Sequence, residues 1–416
     1  MNLATNLFAV LILLVVDADE AVATSLRESQ LKKFALDNGF VRSEETWAEY
    51  NLELVSIGKE VFESKLLSSN RDIACASCHL DRFGSSDGLP VAIGVAGKSF
   101  GLERVKSDGD ILPRNALPLW GRGGKGFTTM FWDGRVQISM DGSLHSQFGS
   151  LAPSDDPLVV AAHLPPLELG EMADIGLEGE STYQQEDVDA AYLFGETIAV
   201  RFREASSIVT RMAAIKNIDA ASVGFSDIVS AAAHFISYNY RLKPTRFERF
   251  VFDNGPLTDS ELNGGLIFYG SGQCVLCHYG PYFSDFDFHV IPMPQLGFGA
   301  NGFGVDYGRY NVTQDPQDLF AFRTPPLINV GKTSPYSHSG SVADLKSAIL
   351  YHIDPLAIQN DFFASRDDRQ RYARQLGLWS RSFPMTVNIS EDDLGDIVSF
   401  LKALEYNSEY PVLEIK

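Results

Sequence analysis

Apolar residues recur at helical spacing in two stretches of the chain, and both stretches end in the same way. The first runs LELVSIGKEVFESKLLSSNRDIACASCH (52–79) and the second LTDSELNGGLIFYGSGQCVLCH (257–278). In each, an amphipathic helix pattern gives way to a Gly or Ser-Asn break and then to C-x-x-C-H, which puts the thiols on a turn at a helix start. Two closing helical patterns follow, FSDIVSAAAHFISYNYRL (225–242) and SEDDLGDIVSFLKALEY (390–406). The latter opens with Ser390 as a cap and acids in its first turn. Helix, cysteine loop and closing helix therefore occur twice, as a weak internal duplication of long period. Gly- and Pro-rich stretches such as VIPMPQLGFGANGFGVDYGRYN (290–311) read as loops. The predicted class is mainly α, two helical units with long loops and little sheet.

The cysteines add chemistry to this pattern. There are four, Cys75, Cys78, Cys274 and Cys277, and each pair is followed at once by a histidine, His79 or His278. C-x-x-C-H is the attachment signal of a c-type haem. Two thiols form thioethers with the porphyrin vinyl groups, and the adjacent imidazole reaches the iron from one face. A shared four-cysteine zinc site is the competing reading, but it has no use for a histidine after each pair. A redox dithiol would need only one pair. The two units are thus expected to be cytochrome-like domains, each with a covalent haem. The long loops would wrap the haem edges.

The N-terminus suggests where this chemistry takes place. LFAVLILLVV (7–16) is too short to span a bilayer, and Ala21–Ala23 supplies a small-x-small cleavage site. Asp17, Asp19 and Glu20 near the cut, and the lack of Lys or Arg before it, depart from the usual leader. With covalent haem attached outside the bacterial cytoplasm, the expectation is a signal peptide over 1–23 and a periplasmic mature protein. An extension over 24–50 and haem domains over 51–250 and 251–416 would follow. The length and the 45% hydrophobic, 21% charged composition are those of an ordinary globular chain, and a net charge of −20 argues against nucleic acid as partner.

The sixth position of each iron decides between electron transfer and reaction with a ligand. After His79 the next histidine is His145, so the segment following the first motif offers only Met130 and Met140 as formal alternatives. The second half offers His289, His338 and His352. At this point longer motifs matter: PRNALPLWGRGGKGFTTMFWDGRV, LGEM, CVLCHYGPYFSD and GRYNVTQDPQDLFAFRTPPLINVGKTSPYSHSG, in that order. Over about residues 50 to 405 the chain resembles the di-haem cytochrome c peroxidase/MauG superfamily. The resemblance implies a peroxidatic first haem, an electron-relaying second haem and a calcium ion between them. It also implies hydrogen peroxide and a redox protein as partners, and the family's frequent dimerisation adds a second copy of the chain.

Residue by residue, the resemblance makes Trp132 the relay between haems and Glu171 the distal acid–base group, with Pro165 lining its pocket. A carboxyl in an apolar pocket can take a proton from peroxide and return it to the leaving oxygen. Asn115, Thr333 and Pro335 match the calcium ligands, the last two through backbone carbonyls. Two departures stand out. The loop after the first motif, LPVAIGVAGKSFGLERVKSDG (89–109), lacks the histidine that many di-haem peroxidases must release on activation, as in MauG. At the family's sixth-ligand position for the second haem, where Met or Tyr is usual, counting along PYSHSGSVADLKSAILYHID reaches His352, with Tyr351 one residue off register. His338 matches a family histidine beside the second haem. His145, His163, His234 and His289 are expected to be structural or on the surface.

A bis-histidine second haem has a lower potential than a Met-ligated one, which favours a MauG-like enzyme. Such an enzyme stores two oxidising equivalents across both haems and oxidises a partner protein. The alternatives are a peroxide-scavenging peroxidase fed by a small cytochrome or copper protein, and a non-catalytic di-haem electron carrier.

Overall fold

The computed structural model describes residues 22–174, 187–205, 207–356, 366–382, 387 and 389–406. The expected signal peptide therefore lies outside the described residues, except that residues 22 and 23 begin the first helix. In chain order the helices are α1 (22–37), α2 (Leu52–Glu63), α3 (Pro157–Leu167), α4 (Val188–Ala205), α5 (Ile208–Lys216) and α6 (Phe225–Asn239). They continue with α7 (Arg246–Asp253), α8 (Asp259–Tyr269), α9 (Tyr310–Thr313), α10 (Leu345–Ile353), α11 (Arg366–Ser382) and α12 (Glu391–Ala403). Strands are few. β1 (Thr129–Met130), β2 (Val136–Ile138) and β3 (Leu144–His145) form a small antiparallel meander, and β4 (Phe288–His289) pairs with β5 (Phe322–Arg323). The fold is mainly α, and among the described residues no helix is long and apolar enough to cross a membrane.

The four helices read from the sequence are α2, α6, α8 and α12, and they pair as the duplication requires: α2 against α6, α8 against α12. A glycine sits at each crossing. A methyl group at Gly58 of α2 would meet the Ala231 carbonyl oxygen of α6 at 1.9 Å, and one at Gly264 of α8 the Asp396 oxygen of α12 at 1.9 Å. Glycine in mid-helix costs about 1 kcal/mol relative to alanine, and here it lets two backbones touch. Val55, Val61 and Phe62 of α2 are buried with Ile228, Ala232 and Phe235 of α6. Across the second pair, Phe268 and Phe400 rings lie 5.2 Å apart. The starts are capped by side chains: Asn51 accepts from the amides of Glu53 and Leu54, Thr258 from Glu261, Ser390 from Asp393.

The cysteine motifs follow α2 and α8 on single 3-10 turns, Cys75–Ser77 and Cys274–Leu276, rather than at the start of a longer helix. The stretch read only as an extension folds in large part as α1, and it packs on the second helix pair. Leu31 is fully buried beside Gly265 of α8, and the Asn38 carbonyl accepts from the Gly280 amide just after the second motif.

Candidate functional site

Both C-x-x-C-H turns place their histidines identically. The His79 amide donates to the Cys75 carbonyl at 3.0 Å, and the His278 amide to Cys274 at 2.9 Å. Each ring then fixes Nδ1 on a downstream carbonyl, His79 on Ser85 and His278 on Phe283, both at 2.8 Å. Burial lowers both imidazoles to about 4, so they are neutral at pH 7. With Nδ1 committed to a carbonyl, Nε2 is the nitrogen left for a metal. None of the four cysteines is in a disulfide.

Glu171 stands close to the first motif. Its loop follows α3, whose last turn contains Pro165, half-buried, and closes with the Glu168 amide on the Pro165 carbonyl. Gly170 takes φ +80°, and its carbonyl accepts from the Val95 amide at 3.0 Å. A methyl at Gly94 would strike that carbonyl at 1.7 Å. The Ser69 amide binds the Met172 carbonyl at 2.8 Å, so the loop is also tied to the segment before CASCH. Burial, then repulsion from Glu168, raises the Glu171 carboxyl to about 7 against the pull of Arg135. Its charge is felt in turn at Cys75 and Cys78.

The wall facing this loop is the histidine-free segment after the first motif. Arg104, 2% exposed, gathers the carbonyls of Ile93, Gly94 and Ser99. Of the two methionines, Met140 lies fully on the surface, and the buried Met130 sulfur receives Arg122 at 3.3 Å.

Trp132 lies where the two halves meet. Its indole N–H donates to the Asn115 carbonyl at 3.0 Å, and its own carbonyl accepts from the Arg323 amide at 2.8 Å. Arg323 Nε holds the Phe131 carbonyl at 2.9 Å. The next residue, Asp133, is paired with Arg114 at 2.6 Å, which also holds Asp306 at 2.7 Å. This buried ion network went unnoticed in the sequence, because its partners are up to 192 positions apart.

Two arginines bear on whether haem fits here. Arg323 is 1% exposed, and its Nη1 and Nη2 have no hydrogen-bond partner among the described residues. Burial and the neighbouring Arg122 push it well below its usual pKa. Arg122, also buried, hydrogen-bonds among the described residues to the Pro118 carbonyl and the Met130 sulfur and lies over the Phe127 ring. Buried guanidinium without a carboxylate is costly, and a haem brings two propionate carboxylates. Arginines short of acceptors and two poised imidazoles therefore suit this cofactor.

In the second half, the His352 ring centroid is 6.4 Å from that of His278. Metal–imidazole bonds are about 2 Å and ring centres about 1 Å further on, so two imidazoles on opposite sides of one metal sit roughly 6 Å apart. His352 Nδ1 is engaged by the Ala348 carbonyl at 2.8 Å, as in the proximal histidines. Tyr351 turns away and is 3% exposed, packed with Val342 and Ala348.

The remaining histidines have other partners. His338 stacks on Phe322 at 3.8 Å and meets Gln295 Oε1 at 2.9 Å. His163 has both nitrogens occupied, by Val159 and Ser226. His234 bonds the Ser230 carbonyl, and His145 is exposed beside Ser143. His289 pairs with Asp285 at 2.8 Å next to Cys277. This trio has metal-ligand character, but the Cys277 sulfur belongs to the haem motif.

Asn115 gathers carbonyls. Its amide nitrogen is 2.7 Å from the Leu89 oxygen, 3.2 Å from Pro90 and 3.3 Å from Pro335. Thr333 stands two residues before Pro335, with its hydroxyl on Val330.

A mainly helical chain with two C-x-x-C-H turns, each presenting a neutral imidazole, defines a two-haem c-type protein. Residues 52–254 match the family model of the di-haem cytochrome c peroxidases, and the chain is an oxidoreductase similar to the curated proteins of that kind. It is similar to the cytochrome-c peroxidase IdrP1 of Pseudomonas sp. (strain SCT), 24% identical over 72% of each chain. It is also similar to the methylamine utilization protein MauG of Paracoccus denitrificans (strain Pd 1222), 25% identical over 87% of this chain and 90% of that one. The fold matches the diheme peroxidase BthA of Burkholderia thailandensis E264 with TM-score 0.62, over 88% of this chain and 89% of that one, at 19% identity.

Proposed function

We propose that this di-haem peroxidase reacts with hydrogen peroxide at a first haem that is open without prior reduction. We further propose that it relays oxidising equivalents through Trp132 to a second haem held by His278 and His352, and oxidises a partner protein in the periplasm. The haems, when bound, supply the redox-active irons. Everything else falls to the chain. Glu171 accepts a proton from the nearer peroxide oxygen at its carboxylate and returns it to the departing one. The turn at Gly170 and the tie to Val95 keep that carboxylate in place. Asn115 holds the Trp132 indole by its N–H, and Arg323 holds the Trp132 backbone, so the ring stays fixed between the halves.

The observation that carries this reading is the wall opposite Glu171. Residues 89–109 pack against the Glu171 loop and offer no imidazole, so nothing there must be displaced before peroxide binds. The same reading includes a calcium ion held by Asn115, Thr333 and Pro335, supported by the carbonyls around the Asn115 amide. It also includes a leader cleaved near Ala23, haem domains dividing near residue 250, and a homodimer. A second reading, peroxide scavenging fed by a small cytochrome or copper protein, is favoured by the similarity to cytochrome-c peroxidase IdrP1.

Electron paramagnetic resonance of the oxidised, unreduced protein tests the open pocket. One high-spin and one low-spin ferric signal are expected, and His352→Ala should abolish the low-spin one. Two low-spin haems would refute the open site, and a low-spin signal unmoved in the variant would refute the ligand.

A further inference from the structure

His79 also faces an aromatic path that does not pass through Trp132. Phe62 lies 6.4 Å from the His79 ring, Tyr240 6.2 Å from Phe62, and Trp120 5.4 Å from Tyr240, edge to face. Tyr406, beyond α12, packs on Trp120 at 4.5 Å. All four aromatic residues beyond His79 are buried. The Trp120 indole nitrogen has no hydrogen-bond partner among the described residues, and the Lys243 ammonium stands 5.1 Å from its ring. Tryptophan and tyrosine are the easiest ring side chains to oxidise, and ring contacts of this length allow an electron to hop from one to the next.

We propose that Tyr240, Trp120 and Tyr406 form an oxidisable chain that supplies an electron to the first haem site when the route through Trp132 is closed. The proposal rests on peroxide reacting at that haem. Hydrogen peroxide takes up two electrons, and two protons drawn from solvent by way of Glu171, to give two waters. A haem held by His79 would supply one of the electrons from its iron. The other leaves Trp120 by way of Tyr240, and Trp120 becomes an indole radical cation. With no acceptor for its N–H, the indole keeps its proton and the charge spreads onto the adjoining Tyr406 ring. Lys243, 5.1 Å from the Trp120 ring, opposes a positive charge there, which keeps the oxidised state short-lived.

The test uses the Trp132→Phe holoprotein, mixed with peroxide and freeze-quenched for electron paramagnetic resonance. A tryptophan radical is expected, with hyperfine structure that narrows on indole deuteration. It should be lost when Trp120→Phe is added and should persist longer with Lys243→Met. A radical that survives Trp120→Phe, or a haem band that responds to peroxide with no tryptophan radical, overturns the relay alone. A haem band indifferent to peroxide overturns both the relay and the function it rests on. If the double variant does not fold, peptide mass mapping of the Trp132→Phe protein decides instead. Oxidation at buried Trp120 ahead of the fully exposed Met140 supports the chain, and oxidation of Met140 alone overturns it.

Discussion

Glu171 keeps its proton into the neutral range because burial disfavours its charge and Glu168 repels it. In the role proposed for Glu171, the form that accepts the peroxide proton is the ionised one. The rate of peroxide reaction should therefore fall as pH drops through about 7, well above the ordinary carboxylate range. Glu171→Gln should slow the reaction by about 100-fold or more and flatten this dependence. Stopped-flow rates across pH check it, and an inflection near 7 that survives in the variant would assign the proton to another group. The same shift has a cost in stability. Between 4.5 and about 7 the folded carboxyl retains a proton that the unfolded chain releases. Folding therefore loses stability as pH rises through this window, and Glu171→Gln should gain relative to the wild type.

At the scale of elements, the two halves are joined where Arg114 spans Asp133 and Asp306. Asp133 also has Arg135 at 3.0 Å, whereas Asp306 relies on Arg114 for its ion pair. Arg114→Met leaves Asp306 as a buried charge without that partner, a change worth about 3–5 kcal/mol. Denaturant unfolding should show that loss, and a variant as stable as the wild type would mean that water or another group compensates. Burial works against both aspartates, yet the arginines hold them below the usual carboxylate range. Their contribution is thus complete at neutral pH and disappears only as strong acid protonates them. Beside this clamp, the Asn115 amide is ringed by carbonyls. Chelating calcium from the purified protein should slow electron exchange between the haems and lower peroxide turnover. Equal activity after verified calcium removal would count against Asn115, Thr333 and Pro335 as its site.

Over the whole molecule, what could be read in advance was what is local in sequence. The helices α2, α6, α8 and α12, the Ser390 cap and both haem turns announce themselves within a few residues, through period, cap and motif. Glu171, Trp132 and Asn115 do not. Alone they look like a solvated acid, a core ring and a loop amide, and only the resemblance to a family singled them out. Contacts across the chain carry no such local signal: the Arg114 clamp, the burial of Arg122 and Arg323 without a carboxylate beside them, and α1 docking on α8. Between His352 and Tyr351, α10 buries the tyrosine and sets the histidine ring 6.4 Å from His278, a geometry no local pattern in the sequence carries.

Peroxide acting at an open first haem should oxidise both haems of the resting protein through Trp132. Stopped-flow absorbance from the Soret region to the near-infrared, with peroxide added to the diferric protein and no donor present, measures this. A long-lived state two equivalents above resting is expected, with both haem bands changed, that decays slowly alone and quickly with a protein partner. In Trp132→Phe, peroxide should still react while the band of the second haem stays still. Oxidation of one haem only in the wild type, with turnover appearing only after reduction by a small donor cytochrome, would contradict it.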